Sequence, residues 1–180
     1  MVEGAKFAGE AEEATGALRL AAEIHPTFVV MDPELGSEIM DGVELCRDLK
    51  ALPDPPRVVV YTMCNSPDEV AQMMLAGADF YIHKSAGEEE LAEIWQAMCR
   101  GESVWFLGRR PEGRVGKPLN TDLLTPREKD VLGLLLKRYT NKEIAQKLHL
   151  TYQTVKNHVY HVLHKLGYRS RQELFQDLRI

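Results

Sequence analysis

The sequence predicts two domains: an open parallel α/β sheet followed by an all-α domain of four helices. Short apolar runs rich in β-branched residues alternate with helical patterns over the first hundred residues. Four short helical patterns then follow between Leu124 and Leu178. A stretch rich in glycine, proline and basic residues separates the two regions. We therefore expect domains at 1–104 and 121–180, joined by a linker at 105–120.

The first domain should alternate strands and helices. Three apolar runs predict buried parallel strands, at Phe28–Met31, Val58–Tyr61 and Phe80–Ile82. Helical patterns follow at Val43–Leu52, Pro67–Ala76 and Glu88–Met98. Upstream, Ala5–Ala8 is a weaker strand candidate and Glu12–Ile24 a helix candidate. Alternating units of this kind imply right-handed crossovers, with any binding site at the carboxyl ends of the strands.

Three polar residues stand at those strand ends: Asp32, Thr62 and Lys84. Each alone has an ordinary explanation, as a turn former, a helix cap or a surface charge. Together they are equipped for phosphoryl chemistry, because a carboxylate can accept the group, a hydroxyl can bond its oxygens and an ammonium can offset its charge. The sequence contains no nucleophile–base pair or metal cluster that would indicate an enzyme.

The second domain is marked by its helix starts. The first, second and fourth helices open with Ser or Thr followed three places on by Glu, at Thr125, Thr140 and Ser170, which is the capping-box pattern. The third helix is capped by Thr151 and followed by Gly167, a typical left-handed stop. Short helices with a tight turn between the second and third predict a helix-turn-helix.

The third helix has one apolar and one polar face. The apolar stripe consists of Val155, Val159, Val162, Leu163 and Leu166. The opposite face carries Gln153, Asn157, Tyr160, His161 and His164, with Lys156 on its flank. A solvated helix face is the plain alternative, but this face has no carboxylate, so we expect it to read base edges in a DNA major groove. Metal binding by His158, His161 and His164 is disfavoured, because each step turns 300° around the helix.

Charge separates the same two regions. Residues 1–110 hold nine Lys and Arg against twenty Asp and Glu, a net of −11, whereas residues 111–180 hold thirteen against seven, a net of +6. A basic region is suited to bind the phosphates of DNA, whereas an acidic region is not. The charges therefore fit a chain in which only the C-terminal half binds DNA. The sequence has no run of eighteen apolar residues, its start lacks signal-peptide features, and its three cysteines are widely spaced. We therefore expect a cytoplasmic protein with reduced thiols and no membrane partner.

The C-terminal region resembles the LuxR-type DNA-binding domain of NarL/FixJ response regulators. The matching strings are Leu124-Thr125-Pro126-Arg127-Glu128, Asn141-Lys142-Glu143-Ile144-Ala145, Thr154-Val155-Lys156-Asn157-His158 and Lys165-Leu166-Gly167. The resemblance implies that Lys156, Asn157 and Tyr160 face bases, and His161 lies on the same face. It places Thr154, Lys142 and Lys165 near phosphates and gives the helix from Arg171 to Leu178 a part in dimerisation.

The N-terminal region resembles the receiver domain of response regulators, a flavodoxin-like fold. The matching strings are Val29-Val30-Met31-Asp32, Met40-Asp41-Gly42, Val59-Val60-Tyr61-Thr62, Ala76-Gly77-Ala78 and Tyr81-Ile82-His83-Lys84. The resemblance implies that Asp32 is the phospho-acceptor, that Thr62 and Tyr81 form a switch pair, and that Lys84 is the phosphate partner. A sensor histidine kinase is then a possible partner.

Two departures from the receiver pattern bear on the mechanism. The chain starts at what resembles the family's second strand, so we expect it to lack the first helix and the central strand with the acidic pair for Mg²⁺. Gly42 also lies ten residues after Asp32, about two more than usual. We therefore expect no cofactor and doubtful Mg²⁺ binding, although Glu34 or Glu38 could replace a ligand. Unless Ala5–Ala8 moves in beside Phe28–Met31, the sheet has a gap.

These patterns predict a sequence-specific transcription regulator that binds double-stranded DNA, as a homodimer, with an atypical receiver that acts without ordinary Mg²⁺-dependent phosphorylation. One alternative is a conventional two-component response regulator switched by phosphorylation of Asp32. Another is a phosphotransfer sink whose DNA-binding half is vestigial, which would require the loss of the basic and groove-facing residues.

Overall fold

The computed structural model describes residues 5–34, 39–108 and 119–178. The first part alternates helices and strands, in the order α1 (Ala14–Ile24), β1 (Phe28–Met31), α2 (Ile39–Lys50), β2 (Arg57–Thr62), α3 (Pro67–Ala76), β3 (Phe80–His83), α4 (Glu88–Cys99) and β4 (Trp105–Phe106). The second part is helical: a 3₁₀ turn at Thr121–Leu123, then α5 (Pro126–Leu136), α6 (Asn141–Leu148), α7 (Tyr152–Lys165) and α8 (Arg171–Leu178). The predicted fold class is confirmed.

The four strands form one parallel sheet in the order β1-β2-β3-β4. Met31 pairs with Val60 and Thr62 with His83, so the polar residues that follow β1 and β3 come to the same end of the sheet as Thr62. The central residues of β2 are almost fully buried, as the uninterrupted apolar run predicted.

The prediction of a strand at Ala5–Ala8 is wrong. Residues 5–8 have no regular structure, and Phe7 is 77% exposed. The segment has one large apolar side chain, and with that ring exposed it buries too little apolar surface to offset the entropy of ordering the backbone. Within the described residues β1 is therefore an edge strand, with β2 its one neighbour and Val30 64% exposed. The prediction of a gap in the sheet is wrong, because β1 pairs directly with β2 along its whole length and the two strands satisfy each other's backbone hydrogen bonds.

The predicted linker, 105–120, begins too early. Trp105 and Phe106 form β4, a parallel strand paired with β3, and both side chains are buried. Two residues are too few for a periodic pattern to show, and the strand is held by tertiary contacts, with Trp105 stacked on Tyr81 at 5.6 Å between ring centroids. The remaining linker residues from 109 to 118 lie outside the described part of the chain.

The helix starts of the C-terminal half follow the predicted capping chemistry. Thr125 and Thr140 form complete capping boxes with Glu128 and Glu143. At α8, Ser170 accepts the Glu173 amide, but the Glu173 carboxylate accepts from the backbone of Arg169 instead of from Ser170. Gly167 has a positive φ of 79°, which confirms the left-handed stop after α7.

The two halves are in contact along α3 and α5. Gly133 makes the close approach possible, because a Cβ at this position would lie 2.8 Å from Cγ of Leu75 on α3. An ion pair between Lys137 and Asp68, 3.7 Å apart, flanks this contact. Helix α7 also packs against α5, and the polar face of α7 remains exposed. None of the helices in the described residues is both long enough and apolar enough to cross a membrane.

Candidate functional site

The outward face of α7 is the first candidate site. The helix begins at a cap in which the Thr151 hydroxyl accepts the Thr154 amide at 3.1 Å. Its apolar stripe, predicted from spacing, is buried in the small helical core. That burial leaves the base-reading candidates exposed together on the far face: Lys156, Asn157, Tyr160 and His161. Tyr160 is 65% exposed, although its ring is largely apolar.

Neighbouring side chains organise this face. Nε2 of Gln153 donates to Oδ1 of Asn157 at 3.2 Å, one helical turn away. The Tyr160 ring lies 5.8 Å from the His161 ring and stacks on His164 at 6.1 Å. The face thus presents amides, imidazoles, a phenol and a lysine at successive turns, and all of these can form hydrogen bonds with base edges.

The three phosphate-contact candidates lie in different surroundings. Lys142 is exposed in the first turn of α6. Thr154 is half-buried, and its hydroxyl lies 2.8 Å from that of Thr151. Lys165 is engaged within the domain: its Nζ donates to Oε2 of Glu128 at 2.6 Å. Sequence reasoning missed this pair, because the two residues lie 37 positions apart.

Glu128 connects the start of α5 to the end of α7. Its side chain is 5% exposed and also accepts the Thr125 amide at 2.8 Å. Burial acts to raise the pKa of this carboxyl, but the bonds from Lys165 and Thr125 together hold the pKa below its ordinary value. Glu128 therefore combines a helix cap with an ion pair inside the helix-turn-helix domain.

The second candidate site lies at the carboxyl ends of β1 and β3. Nζ of Lys84 donates to Oδ2 of Asp32 at 2.5 Å, and the amide of Glu34 donates to Oδ1 at 3.2 Å. The bond to Asp32 raises the pKa of Lys84. The backbone amide of Lys84 also donates to the carbonyl of Thr62 at 2.8 Å, which holds β2 and β3 in register at this point. Two of the three predicted residues are thus in direct contact.

Thr62 and Tyr81 are both fully buried beside this site. The Thr62 hydroxyl accepts the amide of Cys64 at 3.1 Å. The Tyr81 hydroxyl lies 2.8 Å from the carbonyl of Cys64 and 2.7 Å from Oε1 of Glu69, so its one proton serves two acceptors. Burial first, and then the Glu69 carboxylate, raise the pKa of Tyr81 well above its usual range. Tyr81 therefore joins the loop after β2 to α3.

Sequence reasoning missed Glu69 and Cys64. Glu69 follows Ser66 by three places, so its pattern is that of a capping box, and the Ser66 hydroxyl does accept the Glu69 amide at 3.2 Å. The Glu69 carboxylate instead turns inward and bonds to Tyr81, and the residue as a whole is only 2% exposed. The local sequence pattern could not indicate this burial. Glu38, one of the two possible replacement metal ligands, lies outside the described residues.

Comparison with known protein families assigns both halves of the chain. Residues 2–96 match the family described as response regulator receiver domain, and residues 122–176 match that of bacterial regulatory proteins of the luxR family. The chain is 33% identical over 177 residues to the transcriptional regulatory protein LiaR of Bacillus subtilis, covering 92% of this chain and 80% of that protein. The chain belongs to the NarL/FixJ family of response regulators.

Other relatives agree with this assignment. The response regulator VraR of Staphylococcus aureus is 34% identical over 172 residues, and the nitrate/nitrite response regulator NarL of Escherichia coli is 31% identical over 172; each match covers 92% of this chain and 79% of the relative. RcsB of Salmonella typhimurium has a similar fold, with a TM-score of 0.50 at 20% identity, covering 99% of this chain and 87% of RcsB. This response regulator is a DNA-binding transcription regulator of the two-component type.

Proposed function

We propose that this response regulator reads specific double-stranded DNA through α7 and that its receiver-like half works without ordinary Mg²⁺-dependent phosphorylation, as a dimerisation or ligand-sensing platform. The observation that carries the second part is the pairing of Asp32 with Lys84, together with the fact that Asp32 belongs to no group of three potential metal ligands among the described residues. The first part rests on the exposed polar face of α7 in a basic half.

The DNA-binding part is supported by geometry and charge together. The apolar stripe of α7 fixes which face points outward, and that face carries base-reading side chains with no carboxylate among them. Lys142 lies exposed at the start of the preceding helix, where a phosphate could also meet the helix N-terminus. A solved structure of RcsB contains two of its dimers bound to two parallel DNAs, with a TM-score of 0.51 at 20% identity to this chain. We extend DNA binding and dimerisation to this protein.

The metal requirement supports the second part. Mg²⁺ needs oxygen ligands in near-octahedral order, and phosphoryl transfer needs a cation to neutralise the acceptor and the transferred group. Asp32 offers one carboxylate, and both of its oxygens already accept hydrogen bonds, from Lys84 and from the Glu34 amide. In the described part of the chain, Asp32 belongs to no group of three metal ligands. These residues do not fit Mg²⁺, so we expect weak binding and slow or absent phosphorylation.

A conventional switch is the second candidate. It is favoured by the convergence of Asp32, Thr62 and Lys84 at one end of the sheet, which is what phosphorylation by a sensor histidine kinase would use. A phosphotransfer sink with vestigial DNA binding is disfavoured by the exposed polar face of α7.

The switch is tested with the full chain, Mg²⁺ and either acetyl phosphate or beryllofluoride. Mass, dimerisation and DNA affinity are measured before and after incubation with the donor. The Asp32→Asn variant is the control that shows whether any modification is on Asp32. We expect no stoichiometric modification and no change in affinity. Modification at Asp32 with a tenfold gain in DNA affinity, about 1.4 kcal/mol, would instead establish the conventional switch.

DNA reading is tested by substitution on α7. Lys156→Ala and Asn157→Ala should each cost about 1–3 kcal/mol at the specific site, with little loss on random DNA. Lys142→Ala should weaken both and lower the salt slope by roughly one unit, because it removes a phosphate contact. Arg47→Ala, which removes an exposed cation from the acidic half, is the matched control. Equal losses on specific and random DNA for Asn157→Ala would exclude base reading by that residue.

A further inference from the structure

Three potential metal ligands meet beside the Asp32 site without including Asp32. Each of Glu34, Cys64 and Glu69 contributes one ligand atom, and the three atoms lie within 4.8 Å of one another. They come from three separate segments: Glu34 from the loop after β1, Cys64 from the loop after β2, and Glu69 from the first turn of α3. We propose that these residues form a binding site for a thiophilic divalent cation of the Zn²⁺ type.

The buried carboxylate of Glu69 points to a ligand. The residue is 2% exposed, and while its Oε1 accepts from Tyr81, its Oε2 is buried with no hydrogen-bond partner in the structure. An unpaired buried carboxylate oxygen is costly, and native proteins satisfy such atoms with donors, water or metal ions. A cation bound to Oε2 would supply that missing partner while the bond from Tyr81 to Oε1 stays in place.

The donor set selects the class of cation. One thiolate and two carboxylates match Zn²⁺, which accepts sulfur, nitrogen and oxygen ligands in tetrahedral sites, whereas Mg²⁺ requires oxygen. Ligand atoms about 2.0–2.3 Å from a tetrahedral Zn²⁺ lie roughly 3.5 Å apart. The three atoms therefore need to close by about 1 Å. Glu34 is exposed, so its side chain has room to make most of that movement, and water can occupy the fourth position.

Metal binding at Cys64 requires the loss of a proton, because an ordinary cysteine side chain is a neutral thiol near pH 7. Binding of the cation would displace that proton to solvent and leave a thiolate on the metal. The reaction exchanges one proton for one metal–sulfur bond and involves no oxidation.

Such a cation would join the loop of Asp32 to α3, the helix that contacts the DNA-binding half through Leu75. The three proposed ligands include neither Asp32 nor any residue of α7. The receiver-like half would then have a contact between the loop after β1 and α3 that forms only when the cation is bound. This contact lies next to Asp32, where we expect little phosphorylation.

The test is a titration of the full reduced chain with ZnCl₂ by calorimetry, repeated with MgCl₂, and with CoCl₂ followed by absorption. We expect one saturable equivalent of Zn²⁺, at least about tenfold tighter than Mg²⁺, and a cobalt–thiolate charge-transfer band. Cys64→Ser should abolish the band, and Glu69→Gln, which keeps an acceptor for Tyr81, should weaken Zn²⁺ binding by at least about tenfold, the scale seen even for outer-shell partners. The matched control is Cys99→Ser, at an exposed thiol on α4.

Circular dichroism of each variant separates loss of the site from loss of the fold. A histidine site elsewhere would bind Co²⁺ without the thiolate band. Absence of saturable Zn²⁺ binding, a band that persists in Cys64→Ser, or a band lost equally in Cys99→Ser would each overturn the proposal.

Discussion

The bond between Glu128 and Lys165 should contribute more to the free energy of unfolding than a surface ion pair does. Glu128 is 5% exposed on its side chain and accepts from both Lys165 and the Thr125 amide. A hydrogen bond to a charged group contributes about 1.5–3 kcal/mol and a helix cap about 1 kcal/mol. Because Lys165 is itself 35% exposed, we take the lower end for the ion pair and expect Glu128→Ala to cost about 2–3 kcal/mol.

The chain offers a matched control at the next helix. Glu143 forms the same capping box with Thr140, accepting its amide at 2.7 Å, but it is exposed and its carboxylate does not meet a lysine at ion-pair distance in the described residues. Glu143→Ala should therefore cost only the cap, about 0.5–1 kcal/mol. Urea unfolding of the full chain, followed by helical circular dichroism, measures both losses.

A double-mutant cycle isolates the ion pair. Glu128→Gln and Lys165→Met each remove one partner and leave the other buried or half-buried, so the two losses should be less than additive by about 1 kcal/mol. Additive losses, or a Glu128→Ala variant no less stable than Glu143→Ala, would refute the reasoning.

The same pair has a definite pH signature. The folded pKa of Glu128 lies below its ordinary value of 4.5, so its contribution to stability is present above about pH 4.5 and is lost as the pH falls through the folded pKa. The difference in unfolding free energy between the native chain and Glu128→Gln should therefore be constant at neutral pH and shrink below about pH 4.5. A difference that grows on acidification would contradict the assigned sign.

Three further predictions concern the arrangement of the halves and the switch. Gly133→Ala should push α5 away from Leu75 and so speed proteolytic cleavage between the halves. Adding Leu75→Ala to this variant should restore the original cleavage rate. Equal cleavage rates for the native chain and Gly133→Ala would argue against a close contact. A 1–110 fragment should sediment as a dimer at micromolar concentration, because the edge of β1 is uncovered in the described residues and we expect α8 to add only a weaker second contact; a monomer would oppose this. Asp32→Ala should leave DNA affinity nearly unchanged, and a clear loss would favour the conventional switch.

Local chemistry in the sequence determined most of the helical half. A Thr with Glu three places on specifies where α5 and α6 begin, because both partners of a capping box lie within one turn. The spacing of Val155 and Val159 specified which face of α7 is buried and hence which face is offered to DNA. Periodicity likewise placed β1 and α3 at their observed bounds.

Tertiary structure decided what depends on partners far away in the chain. Trp105 and Phe106 form a strand only because β3 offers an edge and Tyr81 a ring to stack on. Glu69 has the sequence pattern of a cap but is turned inward by Tyr81, and Lys165, which its family motif places near phosphate, is held by Glu128. Such contacts combine residues separated by 12 to 37 positions, and no short-range pattern specifies which of several possible partners a buried or half-buried charge will meet.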